Sequence, residues 1–205
     1  MKKKIKFAFH ILVHPFDGFW DMKREKKGDL RVSLGIFALM IVTQILAKQI
    51  TAFLFSPAKF APQDVIFDIN TYLLIFLVFC VSNWSVTTLM QGEGTFRDIV
   101  MMTGYACLPL VLIPLPVAVL TNIAAYTEEV YINAALALAW LWFFALLLAG
   151  VMTVHQYSLG KMAATLAVTL VAMIAVIFIC LLFINLFTQL VSFVYSIYKE
   201  LSLRT

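Results

Sequence analysis

Charged residues are scarce in this chain of 205 residues, since only 13% are Asp, Glu, Lys or Arg and 63% are hydrophobic. Soluble domains carry about 25% charged and about 45–50% apolar residues, so this composition excludes a soluble globular domain and a disordered chain. Cysteine is also rare: Cys80, Cys107 and Cys180 lie singly in apolar runs. They match neither a disulfide framework nor the spacing of a metal site. The sequence therefore predicts a polytopic, all-α membrane protein.

Five runs of the sequence reach the length of about 20 apolar residues that a membrane-spanning helix needs. We expect them to form a five-helix transmembrane bundle with spans at residues 34–55, 71–90, 99–120, 130–154 and 162–190. From residue 162 to residue 198 there is no charge, glycine or proline. This stretch is too short for two crossings and a turn. It predicts one long helix, whose end near Asn185 and Gln189 emerges into the membrane interface.

The charges divide the chain into three predicted parts. These are a cytoplasmic, basic, amphipathic segment at residues 1–33, a membrane domain at 34–198 and an external tail at 199–205. The first part holds nine of the 15 Lys and Arg residues against four acids. Because basic residues collect on the cytoplasmic side of membranes, we expect a cytoplasmic N-terminus and an outside C-terminus in a cell membrane. The remaining basic loop residues divide into Arg97 and Lys161 inside, and Lys59, Lys199 and Arg204 outside.

The partner expected for the basic segment is a lipid bilayer with an anionic inner leaflet. Nucleic acid is not expected, because a basic run beside a membrane span has this simpler cause. Residues 15–28 place aromatic side chains on one helix face and lysines on the other, with Asp17 as a cap and Gly28 as the end. This pattern predicts a helix that lies in the membrane interface or docks a partner. The residues expected to contact the membrane or a partner are Phe16, Phe19, Trp20 and Arg97.

Histidine gives no metal site. Residues 4–13 alternate like a strand, but we predict a helix, because an extended segment at a membrane leaves its backbone unpaired. His10 and His14 then share a face near Asp17, yet a third firm ligand is missing. We interpret them, and the single His155 at the inner end of span four, as interfacial histidines.

The loop before span three holds Gly92 and Gly94, as part of a phosphate loop does, but a third glycine and a lysine are missing. It predicts a tight turn with Thr95 as the cap of the next helix, and Thr127 is predicted to cap span four. No cofactor and no catalytic residue are predicted, and the chain is not expected to be an enzyme.

Lys48 is the only ionisable residue inside the predicted spans. It can extend to the outer interface, with Asp68 or Glu128 as a counter-ion, and Asn83 is interpreted as a bridge between helices. A proton-coupled pump needs buried carboxylates, which the spans lack.

Span three contains Pro109, Pro114 and Pro116, each of which removes an amide donor. The span is therefore predicted to be bent or broken. A bend packs it around its neighbours, whereas a break can line a binding cavity, as in transporters.

Several short motifs together resemble the Yip (Ypt/Rab-interacting protein) family of membrane proteins. Residues 89–98 (LMQGEGTFRD) and 105–109 (YACLP) are similar to the family's turn and its following span. Residues 154–161 (VHQYSLGK) are similar to its last inner loop. Residues 14–21 (HPFDGFWD) and 83–84 (NW) resemble bacterial members.

The resemblance implies five spans, a cytoplasmic N-terminus and an outside C-terminus, and it implies no catalytic residue. Eukaryotic members bind Rab GTPases and serve vesicle traffic. From the amphipathic start, the small residues that recur at intervals of four in the spans and the lack of catalytic groups, we expect a non-enzymatic scaffold or accessory factor for other membrane components, acting on a membrane-protein partner or a second copy. The alternative is a small transporter or channel subunit that uses the proline-rich third span.

Overall fold

The computed structural model describes residues 2–55 and 64–202 of the chain. Over these ranges the chain forms nine α-helices and two short 3-10 turns, and it contains no strand. The helices are α1 (Lys2–Val13), α2 (Pro15–Arg24), α3 (Leu30–Ile50), α4 (Val65–Leu89), α5 (Phe96–Ala106), α6 (Leu108–Leu112), α7 (Pro114–Leu120), α8 (Glu129–His155) and α9 (Leu159–Ser202). The 3-10 turns are Phe53–Phe55 and Tyr126–Glu128.

The expected five membrane spans are confirmed as five helical segments that are long and apolar enough to cross a bilayer. They are Leu30–Ile50, Val65–Leu89, Phe96–Leu120, Tyr126–His155 and Leu159–Glu200. The first segment begins before residue 34 because Asp29 caps it, with Asp29 Oδ1 accepting from the Arg31 amide at 2.8 Å. It ends at Ile50 rather than at residue 55, where the 3-10 turn stands instead.

The spans alternate in direction, so the bundle has two chemically distinct ends. The basic end contains α1, α2 and the loops at 90–95 and 156–158. The acidic end contains residues 51–55, the turn at 121–128 and the starts of α4 and α8, which carry Asp64, Asp68, Glu128 and Glu129. Lys59 lies outside the described residues, as do Arg204 and the rest of the tail beyond residue 202.

The third span lies at the centre of the bundle. In its most apolar stretch of 18 residues, 61% of the residues are buried, against 33% or less in each of the other four candidate spans. The helix is broken, as the prolines predicted, into α5, α6 and α7, with interruptions at Cys107 and Ile113. Pro114 has no N–H, so the carbonyl of Leu110 lacks its usual donor one turn later. Gln44 Nε2 of α3 donates to that oxygen at 3.4 Å.

Of the two threonines predicted to cap helices, one does so in the structure and the other does not. Thr95 caps α5 as expected: Thr95 Oγ1 accepts from the Asp98 amide, and the Asp98 carboxylate accepts from the Thr95 amide. Thr127 does not cap α8. It lies inside the 3-10 turn, which is held by Glu128 Oε2 accepting from the Ala125 amide at 3.2 Å.

The N-terminal segment forms two helices that fold back on the bundle. Residues 4–13 are helical in α1, as predicted, and Pro15 starts α2 at its first position. Asp17 is therefore inside the first turn and is not the cap, and α2 ends at Arg24 rather than at Gly28. The early end follows from Lys26, which adopts a left-handed φ of 53°.

The last span is one uninterrupted helix of 44 residues, as the absence of glycine and proline predicted. Its first half packs on α4 through Met162, Thr165 and Thr169. From residue 177 to residue 200 every side chain of α9 is exposed on the isolated chain.

Candidate functional site

Three segments that lie far apart in the sequence meet at the basic end. They are α2, the glycine loop at 90–95 and the loop at 156–158. Each carries one of the short motifs described above. We call their joint surface the basic-end platform.

The first contact of the platform is between α2 and α8. Phe19 is fully buried, and a Cβ added to Gly150 of α8 would lie 3.3 Å from the Phe19 ring. Phe16 and Trp20 point outward and are 56% and 46% exposed. Positions 16, 19 and 20 lie within an arc of about 100° on α2, but only Phe19 is turned into the contact with α8, so the three aromatic residues do not share one surface. Phe19 belongs to the core instead of to the expected contact face.

The second contact is a cluster of charges around Glu93. Its carboxylate accepts from Lys23 Nζ at 3.2 Å and from Arg24 Nη2 at 2.9 Å. Lys23 Nζ also donates to the carbonyl of Val154 at 2.6 Å. A cation at this position suits the C-terminal end of α8, where carbonyls lack intrahelical donors. One acidic residue therefore ties α2 to the glycine loop while Lys23 ties α2 to α8.

The third contact joins the glycine loop to His155, which is 1% exposed and so is not the interfacial residue we expected. Its Nδ1 accepts from the Gly94 amide at 3.3 Å, and its ring stacks on Tyr157 at 5.4 Å. A Cβ at Gly92 or Gly94 would lie 2.5 or 2.6 Å from the imidazole. The glycines are thus required by the close approach of the ring.

Tyr157, stacked on His155, holds the same loop through its hydroxyl. Its hydroxyl donates to the carbonyl of Met90 at 3.2 Å, and burial raises the pKa of this phenol. Gln156, just before it, has a left-handed φ of 55° and ends α8. Because the stacked rings of Tyr157 and His155 both hydrogen-bond to the glycine loop, side chains hold this part of the platform in place.

The platform borders an open groove of about 390 Å³. Aromatic side chains of α2 form one wall, and polar groups at the end of α8 form the other. The lining residues are Phe16, Asp17, Trp20, Met152, Thr153, Gln156, Tyr157 and Ser158. Arg97 is exposed at the start of α5, beside Phe96, whose ring packs on Trp84 at 5.8 Å.

The start of α3 is held by Tyr105, the first residue of the 105–109 motif. Its buried hydroxyl accepts from the Asp29 amide at 3.2 Å and donates to the Asp29 carbonyl at 3.3 Å. Lys4 of α1 pairs with the Asp29 carboxylate. Hydrogen bonding to Lys4 holds the pKa of Asp29 below its usual value of 3.8.

Lys48 and Asn83, the span residues singled out from the sequence, do not line the groove. Lys48 Nζ pairs with Asp68 Oδ1 at 2.7 Å, at the acidic end. It also lines a cavity of about 240 Å³ together with Gln44, Pro114, Glu129 and Asn133. Asn83 is fully buried in α4, and its amide has no hydrogen-bond partner among the residues that the structure describes.

The sequence singled out Phe16, Trp20 and Arg97 but missed Lys23, Glu93 and Tyr157. Glu93 carried one signal, since it is an acid placed between two glycines of a loop. Over residues 2–55 and 64–202, no three His, Cys, Asp or Glu side chains are placed to hold a metal ion.

Comparison with protein families matches the Yip1 domain to residues 9–182, which is most of the chain. The match includes every segment of the basic-end platform. No curated protein and no solved structure matches the chain.

Proposed function

We propose that this chain, which belongs to the Yip1 domain family, is a non-enzymatic integral membrane protein that scaffolds or assists other membrane components. The observation that carries the proposal is the basic-end platform, which displays Phe16 and Trp20 beside a groove. Aromatic side chains held on a rigid support are typical anchors of protein interfaces.

The chemistry of the groove favours a protein over lipid tails. Its second wall adds the polar groups of Thr153, Gln156 and Ser158 to Met152 and Tyr157, and Asp17 stands beside the aromatic residues. Acyl chains cannot satisfy these polar groups, whereas a peptide surface supplies donors and acceptors. The groove thus fits a segment of a membrane-protein partner that has both apolar and polar side chains.

The basic residues around the platform support a place at the cytoplasmic leaflet of a cell membrane. Lys6 is exposed on α1, and Arg31 and Arg97 are exposed near the same end of the bundle. Each basic residue near an anionic leaflet contributes about 1 kcal/mol of attraction. The orientation that follows has the N-terminus inside and the C-terminus outside.

The proposal is tested by crosslinked co-purification from native membranes. Phe16→Ala with Trp20→Ala removes the aromatic wall without touching the buried Phe19. The matched control is Ile123→Ala, which changes a residue 84% exposed at the acidic end. We expect the native chain and the control to co-purify with the same discrete set of membrane proteins. The Phe16→Ala, Trp20→Ala double variant is expected to lose most of that set. Recovery of only the free chain, or equal recovery with all three, contradicts the proposal.

A second candidate function is a small transporter or channel subunit. It is favoured by the 240 Å³ cavity beside the broken third span, where Lys48, Gln44 and Glu129 converge. Solute flux into proteoliposomes tests it, with Lys48→Met and Pro114→Ala as variants. If both variants reduce the solute flux, the result supports this function. If neither variant changes the flux, the result contradicts it.

A further inference from the structure

Most of the second half of α9 is an apolar surface that the bundle leaves exposed. Residues 177–198 are all exposed on the isolated chain and carry no charge. At 1.5 Å per residue they extend about 33 Å, which is close to the thickness of a whole hydrocarbon core. The complete α9 is about twice that length, so it cannot be covered by one bilayer crossing beside α4.

One face of this free half carries polar residues at a regular spacing. Asn185, Gln189, Ser192 and Ser196 follow one another at intervals of four, three and four residues. Leu182 and Phe178 continue the same spacing toward the bundle. This is the alternation of positions a and d in a heptad, which places the residues along one seam of a helix. We call these six residues the α9 seam.

The amides of the α9 seam are poorly satisfied within one chain. Gln189 Nε2 donates to Asn185 Oδ1 at 3.5 Å, at the limit of a hydrogen bond, so one long contact is shared by two amides. An amide in hydrocarbon needs a partner, and the apolar side chains that flank the seam need cover in water. Packing the seam against another helix gives the amides a partner and covers the apolar side chains along that face.

We propose that the α9 seam is a parallel, homotypic interface with α9 of a second copy of this chain. An amide is both donor and acceptor, so Asn185 and Gln189 are complementary to themselves in a second copy. The stretch from residue 162 to residue 198 contains no charge that would select an oppositely charged partner. Copies in one membrane share an orientation, so a two-fold axis along the membrane normal sets each seam residue against its equivalent.

This interface goes beyond the proposed scaffold function and does not rest on it, because the seam and the groove involve different helices. The polar positions also set the register, as a single buried amide does in coiled coils. The seam therefore predicts a dimer with defined neighbours rather than loose apolar clustering.

Disulfide crosslinking in reconstituted vesicles tests the interface. Cys80 and Cys107 are buried, and Cys180 falls on the face of α9 opposite the seam. In a Cys180→Ala chain we compare Ser192→Cys, on the seam, with Val194→Cys, two residues later on the opposite face. In phosphatidylethanolamine–phosphatidylglycerol vesicles under mild oxidation, Ser192→Cys is expected to form mostly covalent dimer and Val194→Cys mostly monomer. Equal crosslinking of the two, or none with Ser192→Cys, overturns the proposal.

A second variant measures the role of the amides without disturbing the fold. Asn185→Leu with Gln189→Leu keeps the helix and its apolar character, and neither residue contacts the bundle. Because interhelical polar contacts stabilise helix association in membranes, we expect dissociation to rise about tenfold when labelled chains are diluted into lipid. The matched control is Phe187→Leu, on the opposite face. Dissociation that is unchanged by the amide variant, or raised as much by the control, overturns the assignment of the seam.

Discussion

Gly104 marks the closest approach of two spans at the scale of single residues. It lies in α5 against Ser33 of α3, and an added Cβ would overlap Ser33 Oγ and lie 2.7 Å from the Ser33 carbonyl oxygen. Ser33 Oγ also donates to the carbonyl of Met101 at 3.0 Å. Neither the Ser33 backbone nor its bonded hydroxyl can move away without loss of that contact.

Gly104→Ala is therefore expected to lower the free energy of unfolding by about 1–3 kcal/mol, the usual cost of an overpacked core. Gly35→Ala is the control, because a Cβ at Gly35 meets nothing within 4 Å. The midpoint of thermal unfolding is measured in detergent with a thiol-reactive fluorophore. In a Cys180→Ala chain, the buried Cys80 and Cys107 react only on unfolding and so report it. Equal midpoints for the two glycine variants would contradict the packing.

Phe19 and Phe16 show how one helix divides its aromatic residues between core and surface. Phe19→Ala removes a fully buried ring and is expected to cost about 3–5 kcal/mol. Phe16→Ala changes an exposed ring and is expected to leave the unfolding midpoint within the error of the assay. Limited proteolysis between α2 and α3 provides a second measurement, since release of α2 exposes that connection. A midpoint lowered equally by both variants would contradict the docked position of α2.

At the scale of elements, the broken third span depends on a side chain from another helix. Gln44→Leu leaves the Leu110 carbonyl without the donor that replaces the missing N–H of Pro114. We expect a cost of about 1–2 kcal/mol. Pro114→Ala restores an N–H at that position, so the same Gln44→Leu change is expected to cost less in the Pro114→Ala chain. A double-mutant cycle of unfolding midpoints measures the difference, and an additive result argues against the capping role.

The docking of α1 is expected to depend on pH through Asp29. Its folded-state pKa lies below 3.8 because Lys4 hydrogen-bonds to the carboxylate. The stabilisation is therefore present above about pH 4 and is lost as the pH falls through the lowered pKa. Hydrogen exchange of α1 amides between pH 5 and pH 3, corrected for intrinsic rates, measures this. Asp29→Asn keeps a good helix cap. Its α1 amides are expected to be less protected from exchange than those of the native chain, and their protection should not change with pH. A pH profile of α1 exchange like that of the native chain would rule Asp29 out as the cause.

At the scale of the whole molecule, the number of spans could be predicted because it depends on local apolar length. The Thr95 cap could also be predicted, since its partner Asp98 is three residues away. The burial of Phe19 could not, because Gly150, which it packs against, is 131 positions later in the chain. His155 was misplaced for the same reason, since the cradle that buries it is made by Gly92 and Gly94. A single sequence shows which residues are polar or aromatic, but not which distant loop they meet.

The orientation of the bundle is the last prediction, and it follows from the unequal charge of the two ends. Basic residues are retained on the cytoplasmic side during insertion, so the basic end should stay inside and the acidic end should face out. In a Cys180→Ala chain, a thiol at Glu128→Cys is expected to react with a membrane-impermeant maleimide in intact cells. A thiol at Lys27→Cys should react only after permeabilisation. Both side chains are exposed, so a difference in labelling reports sidedness rather than burial. Labelling of Lys27→Cys in intact cells would invert the bundle and place the groove outside the cell, which would exclude a cytoplasmic partner.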